Sequence, residues 1–208
     1  METFNVSIET GLGAKIDVRR AVFLDRDGTL NIDSGYVHQI KDWVWISGAI
    51  EALSLLKQAG YLIVIVTNQA GVARGLYRTS DVDFLHDWVQ VDLRSHGVEV
   101  DAFYYCPHHP DFGEIRDCAC RKPKPGMLIT ASQDLRIDLR QSWMVGDKMS
   151  DIEAGDVAGL RTLLINSDMC EIGYHMQHPR KQVTDVLEAA RFIISTSPAE
   201  YVSIGGQS

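Results

Sequence analysis

The sequence is 208 residues long and sets 20 lysines and arginines against 28 aspartates and glutamates, a formal charge of −8. With 45% hydrophobic residues, that length builds one good core and is short for two comfortable domains. The acidic balance argues against a nucleic-acid or membrane-surface partner, and it requires any anionic substrate to be met by locally gathered positive charge.

In chain order, residues 1–18 show no sustained period and read as an N-terminal extension, before a single domain over 19–208. The first ten residues lack the basic segment and apolar run of a signal peptide. Residues 21–24 form a short buried strand that runs into Asp25-Arg-Asp27-Gly28-Thr29. A polar loop over 31–42 and the segment Trp43-Val-Trp45-Ile lead to Ser47, read as the N-cap of a helix bearing Ile50, Leu53 and Leu56 and closed by Gly60. Residues 61–66 are the clearest buried strand, far too short to span a bilayer, and end in Thr67-Asn68-Gln69-Ala70-Gly71. Ser80 opens a second helix carrying Phe84, Leu85, Trp88 and Val91, which stops at His96-Gly97. A third strand over 100–105 precedes an irregular loop, 106–125, rich in Cys, His and Pro. Then come a helix over 126–137, a strand over 143–145 ending in Gly146-Asp147, a helix over 150–159, a fifth strand over 161–165 and a last helix over 182–194. Strands alternating with helices predict an α/β fold with a mostly parallel sheet, whose ligands bind beyond the carboxyl ends of the strands.

Alternate residues leave a strand end pointing the same way, so Asp25 and Asp27 converge. An ordinary Asp/Gly turn would explain that string alone. Three strands, however, end in polar tips on one edge: Asp25/Asp27, Thr67/Asn68 and Asp147. Close carboxylates call for a cation, and a hard ion such as Mg²⁺ suits oxygen ligands. Thr67 and Asn68 offer neutral donors for phosphate oxygens, while Arg121, Lys122, Lys124 and Lys148 bring positive charge. An Asp carboxylate can attack phosphorus and form an aspartyl-phosphate, and a second Asp can protonate the leaving alkoxide and later activate water.

Cys106-Pro-His108-His109 and Cys118-Ala-Cys120 supply ligands for a tetrahedral structural Zn²⁺ of the Cys₃His type, with either histidine available by spacing. Cys170 reads as a plain thiol. With no signal peptide and no bilayer-spanning run the cytoplasm is the expected location, and in a reducing compartment such cysteines are thiols or metal ligands and not disulfides.

Asp25-Arg-Asp-Gly-Thr29, Thr67-Asn68, Lys122 and Gly146-Asp147-x-x-x-Asp151 resemble, in order, the four motifs of the haloacid dehalogenase (HAD) superfamily. The resemblance implies a three-layer, Rossmann-like fold with no large cap domain and a zinc-binding loop. It implies Asp25 as nucleophile, Asp27 as general acid and base, and Thr67 and Lys122 as stabilisers of the phosphoryl group. Mg²⁺ would be held by Asp25, Asp147 and the backbone carbonyl of Asp27, with Asp151 a secondary acid or simply a helix-start carboxylate. Asp33-x-Gly35-Tyr36, Cys106-Pro-His-His-Pro110 and Cys120-Arg-Lys-Pro-Lys-Pro-Gly-Met127 are similar to one branch, that of the heptose-bisphosphate and histidinol-phosphate phosphatases. That branch implies Cys106, His108, Cys118 and Cys120 as zinc ligands. It further implies substrate contacts by Asp33, Ser34, Gly35, Tyr36, Thr67, Asn68, Gln69, Ala70, Arg121 and Lys148. The expected activity is a phosphatase acting on a small phosphorylated sugar as a monomer, with a second anion site at Arg121 and Lys124. The alternatives are a histidinol-phosphate phosphatase and a catalytically silent phosphosugar-binding module.

Overall fold

The computed structural model describes residues 19–165 and 181–197. The expectations for 1–18 and for Cys170 therefore lie outside the described residues. In chain order the elements are β1 (Ala21–Leu24), α1 (Ala49–Gln58), β2 (Leu62–Asn68), α2 (Ala70–Ala73), α3 (Thr79–Ser95), β3 (Ala102–Cys106), α4 (Gly126–Leu135), β4 (Trp143–Gly146), α5 (Met149–Ala158), β5 (Arg161–Ile165), β6 (Lys181–Val183) and α6 (Val186–Ser195). The six strands make one sheet in the order β3-β2-β1-β4-β5-β6, and every neighbouring pair is parallel.

The apolar runs of β1 and β2 are continuous because both faces of the sheet are covered. Val22 and Leu24 face one core with Leu53, Leu85, Leu93 and Ile193 of α1, α3 and α6. Ala21 and Phe23 face the other, with Met127, Leu128 and Ala154 of α4 and α5. The chain runs outward from β1 through β2 to β3 and then crosses back to place β4 on the other side of β1, so the strand order switches beside β1. A crevice for ligands opens there, beyond the carboxyl ends of β1 and β4. Segment 31–48, with a 3-10 turn at Ile40–Asp42 and a bridge from Asn31 to Trp45, and the irregular segment 107–125 border that edge, and no described segment adds a separate cap. No helix among the described residues is long and apolar enough to cross a membrane.

Several boundaries differ from the sequence reading. Gly48, in the left-handed region at φ 81°, precedes α1 instead of Ser47. Ser80 lies inside α3, whose start is marked by the Asp81 carboxylate accepting from the Arg78 N–H at 2.7 Å. The third strand begins at Ala102, and α2, a single turn, was not expected. Residues 181–183 form a sixth strand and not the start of a helix: Lys181-Gln-Val183 is too short to show a period of two. The helix starts only after Asp185, whose Oδ1 accepts from the Glu188 N–H at 2.8 Å.

Candidate active site

Asp25 directly follows β1, and its N–H donates to the Val145 carbonyl at 3.0 Å, extending the β1–β4 pairing by one residue. Asp147 follows β4, and Asp151 sits in the first turn of α5 with Oδ2 accepting from the Lys148 N–H at 3.0 Å. One oxygen from each of Asp25, Asp147 and Asp151 can be chosen so that all lie within 4.8 Å of one another. Between them comes Lys122, its Nζ 2.7 Å from Asp25 Oδ1, 2.6 Å from Asp151 Oδ1 and donating to the Val66 carbonyl at 2.7 Å. Burial works against the Lys122 charge, but the carboxylates of Asp151 and Asp25 outweigh it and hold the ammonium above its ordinary range. One lysine does not balance three acids. Burial, with the negative charge of Asp25 behind it and Lys148 opposing, pushes Asp147 up to about 7. Burial likewise lifts Asp151 to about 6 against the pull of Lys122. Asp147 Oδ1 is moreover buried with no hydrogen-bond partner. An all-oxygen cluster short of positive charge, with an orphaned buried carboxylate oxygen, fits a hard divalent cation. Gly28 makes the cluster possible: at φ 90° it takes a conformation side chains resist, and a Cβ there would sit 2.3 Å from Asp147 Oδ2.

Asp27 has a different environment. Its Oδ1 accepts from Arg26 Nε at 3.1 Å and Asn31 Nδ2 at 3.0 Å. Its Oδ2 accepts from Arg26 Nη2 at 2.9 Å and Gln69 Nε2 at 3.0 Å. Arg26 is fully buried, donates also to the Val37 carbonyl at 2.6 Å, and places Nη1 3.2 Å from Nε2 of His86. Burial, reinforced by the Arg26 charge, lowers His86 to about 3, so the ring is neutral and its Nε2 accepts. On the other side Gln69 Nε2 also donates to Thr67 Oγ1 at 2.8 Å, while its Oε1 accepts from the Tyr77 hydroxyl at 2.8 Å. Tyr77 stacks on His38 at 4.5 Å and lies so close over Gly71 that a Cβ there would be 2.1 Å from its ring.

A cavity of about 220 Å³ opens over Asp27, lined by Asp33, Gly35, Tyr36, Asn68, Gln69, Ala70, Tyr77 and Lys148. Seven of the expected substrate contacts thus meet there, with Lys148 Nζ 3.3 Å from Asp33 Oδ2 and Tyr36 in the left-handed region at φ 53°. Ser34, Thr67 and Arg121 do not line it, and the Arg121 guanidinium donates to the His108 carbonyl at 3.0 Å. Lys124 pairs with Asp117 at the exposed surface. The Asn68 amide donates one N–H to the Lys122 carbonyl at 3.0 Å and accepts from the Lys122 N–H at 3.1 Å, so it anchors Lys122 while still lining the cavity.

Arg26, His86 and Tyr77 were missed. A signal existed for the first. By the alternation read for Asp25 and Asp27, Arg26 lies on the other side, in the core, where a charge must be paired. His86 lies on the buried face of α3 with Val82, Leu85, Val89 and Leu93.

In the loop after β3, Cys106 Sγ lies 3.7 Å from Cys118 Sγ, 3.3 Å from Cys120 Sγ and 3.7 Å from His108 Nδ1, and His108 Nδ1 lies 3.3 Å from Cys120 Sγ. Ligands at Zn–S and Zn–N bond lengths on a tetrahedron stand about 3.6–3.8 Å apart, so the four atoms fit a metal of that size. His109 turns elsewhere, its Nε2 3.2 Å from Arg74 Nη2 and its Nδ1 accepting from the Asp111 N–H at 3.1 Å.

A parallel sheet with this strand order, a paired-carboxylate tip on β1 and a lysine bridging it to a third acid define a HAD-like hydrolase. The HAD-hydrolase-like family model matches residues 119–190. The chain is 47% identical over 175 residues to the D-glycero-β-D-manno-heptose-1,7-bisphosphate 7-phosphatase of Pasteurella multocida, covering 83% of this chain and 93% of that one. With the enzyme of the same name from Escherichia coli strain K12 the identity is 45% over 149 residues, 70% and 78% of the two chains. The crystal structure of a D,D-heptose 1,7-bisphosphate phosphatase from B. bronchiseptica, complexed with magnesium and phosphate, superposes with a TM-score of 0.77 at 32% identity, covering 86% of this chain and 99% of that one. The chain belongs to this family of heptose-bisphosphate phosphatases within the HAD-like hydrolases, and is a phosphoric monoester hydrolase.

Proposed function

We propose that the protein removes the 7-phosphate of D-glycero-β-D-manno-heptose 1,7-bisphosphate, a step toward nucleotide-activated heptose for lipopolysaccharide precursors, in the cytoplasm. The observation that carries the chemistry is the Asp25–Lys122–Asp151 chain beside Asp147 at the switch crevice. The β anomer and the position of cleavage rest on the names of the relatives, 45–51% identical to this chain.

Asp25, Asp147 and the backbone carbonyl of Asp27 would hold Mg²⁺, which when bound neutralises charge on the transferring phosphoryl oxygens. Lys122 engages Asp25 Oδ1, leaving Oδ2 to attack phosphorus. The phosphorus–O7 bond breaks as an aspartyl-phosphate forms on Asp25, and Asp27 gives its proton to the departing alkoxide. Asp27 then takes a proton from water, whose oxygen attacks phosphorus; the bond to Asp25 breaks and inorganic phosphate leaves. Thr67 and Lys122 stabilise the phosphoryl oxygens. Asp33, Ser34, Gly35, Tyr36, Asn68, Gln69, Ala70 and Lys148 contact the sugar, and Arg121 with Lys148 receives the 1-phosphate. Cys106, His108, Cys118 and Cys120 bind a structural Zn²⁺, in a single domain over 19–208. The test is phosphate release with Mg²⁺ from both heptose 1,7-bisphosphate anomers, histidinol phosphate and fructose 1,6-bisphosphate. Preference for the β heptose, abolished by Asp25→Asn, is expected. Turnover untouched by Asp25→Asn sinks the covalent mechanism, and preference for histidinol phosphate sinks the substrate.

A further inference from the structure

The proton-transfer carboxylate has an unusual guard. Of the four hydrogen bonds that Asp27 accepts from side chains, two come from the adjacent Arg26, one to each oxygen. A guanidinium that grips both oxygens of one carboxylate fixes the plane of that carboxylate as well as its place, which single donors such as Asn31 and Gln69 do not. Arg26 is itself held. Its Nη2 also donates to the Val37 carbonyl, its Nη1 donates to Nε2 of His86, and its guanidinium carbon lies 5.9 Å from the centre of the Trp43 ring. His86 cannot swing away: it is 5% exposed, stacked on Phe103 at 4.7 Å and edge-on to Tyr105 at 5.8 Å. A residue needed only to fill the core at this place would be apolar, since burying an arginine is expensive unless its charge and donors are answered.

We propose that Arg26, locked by His86, is a positioning residue that aims the Asp27 carboxylate at the leaving-group oxygen. This rests on the assignment of Asp27 as acid and base. Arg26 touches neither phosphorus nor substrate, so its loss weakens the proton transfer and leaves the attack of Asp25 intact. The consequence depends on the leaving group. A sugar alkoxide needs the proton as the phosphorus–oxygen bond breaks; a nitrophenolate leaves without one.

The experiment follows leaving-group release in single turnover, enzyme in excess, with heptose 1,7-bisphosphate and with p-nitrophenyl phosphate. Arg26→Gln is expected to slow release of the sugar about 10²-fold, the scale of a general-acid contribution, while nitrophenolate release changes by less than about threefold. In multiple turnover the same variant gives a burst of nitrophenolate, because hydrolysis of the aspartyl-phosphate still needs Asp27 to take the proton from water. His86→Phe, which removes the acceptor, is expected to lower the sugar-to-aryl ratio about tenfold, and His86→Gln, whose amide oxygen can accept from Arg26, to restore it. Equal loss on both substrates in Arg26→Gln, or no loss on either, overturns the inference. If Arg26→Gln does not fold, the histidine pair decides: a ratio unchanged in both His86 variants overturns it. Asp27→Asn separates the two levels of argument. If it spares sugar release, the assignment of Asp27 has failed. If it slows sugar release selectively while the Arg26 and His86 variants do not, only the present inference has.

Discussion

Replacing Gly28 by alanine adds one methyl group at the centre of the acidic cluster. The new Cβ would stand 2.3 Å from Asp147 Oδ2 and 2.7 Å from its carboxyl carbon. To reach ordinary contact the carboxylate must retreat by about 1.1 Å, because neighbouring heavy atoms do not settle much inside 3.4 Å. The backbone adds a second term: φ at this position is 90°, and a left-handed conformation costs an L-residue about 1–2 kcal/mol. In a domain of this size that is a fall in Tm of roughly 2–8 °C. The chemical effect is larger, since a misplacement of about 1 Å at a reacting centre can lower turnover by ~10²-fold. Phosphate release measured across a Mg²⁺ titration, beside thermal melts, separates the two. A raised half-saturating Mg²⁺ concentration and a ~10²-fold loss in kcat/KM are expected in a protein that melts only a few degrees lower. Wild-type turnover with an unchanged Mg²⁺ requirement would show that Asp147 is not a ligand whose place Gly28 secures.

Three further outcomes follow from the same geometry. Lys122→Met leaves Asp25 and Asp151 without their shared cation, so turnover should fall ~10²–10³-fold with a clear loss of thermal stability. Adding Asp151→Asn should recover stability and not turnover, and recovery of both would argue against a role for the lysine in catalysis. Metal analysis after dialysis against Mg²⁺ buffer should find close to one zinc per chain, and Cys120→Ser should lose the zinc and melt earlier; a zinc-free, folded and active protein would remove the structural metal. The last outcome concerns pH. His86 is lowered from 6.5 to about 3. Below pH 6.5 the unfolded chain therefore takes a proton that the native ring refuses, and stability falls with acidity by about 1.4 kcal/mol per pH unit. Melts at pH 6.5 and pH 5 should accordingly differ by about 2 kcal/mol more in the wild type than in His86→Gln. An equal acid response in both proteins would refute the buried neutral ring.

What the sequence discloses about this molecule follows from how strongly each feature is constrained. β1 and β2 are legible because both of their faces are covered, which forces unbroken apolar runs. The polar edge is legible because Asp25, Thr67 and Asp147 stand at or just past the carboxyl ends of neighbouring parallel strands. β6 is not, since three residues with one buried valine carry no period. The start of α1 is obscure for another reason: Gly48 ends the preceding segment through its backbone and makes no side-chain cap for a pattern to reveal. Lys124 counts as a nearby cation in sequence, and only the fold brings Asp117 against it. Asn68 reads as a donor for a phosphate, and only the fold shows that its amide also holds the Lys122 backbone. Distances across the chain decide such cases, and spacing along it cannot.

The soft-ligand cluster and the acidic cluster are joined by a short set of bonds. The Gln69 N–H donates to the Cys106 carbonyl at 2.8 Å and the Ala73 N–H to the Pro107 carbonyl at 3.1 Å, so the first half of the cysteine loop is tied to the turn after β2. The second half is tied to the same tip through Asn68 and Lys122. Lys122 follows Arg121 and Cys120 immediately, and its side chain reaches past Val66 to Asp25 and Asp151. Any change of shape in the Cys106–His108–Cys118–Cys120 cluster must therefore move the backbone that carries the lysine. A metal in that loop would act on turnover at a distance, by setting the reach of one ammonium, and would need no contact with the substrate to do so.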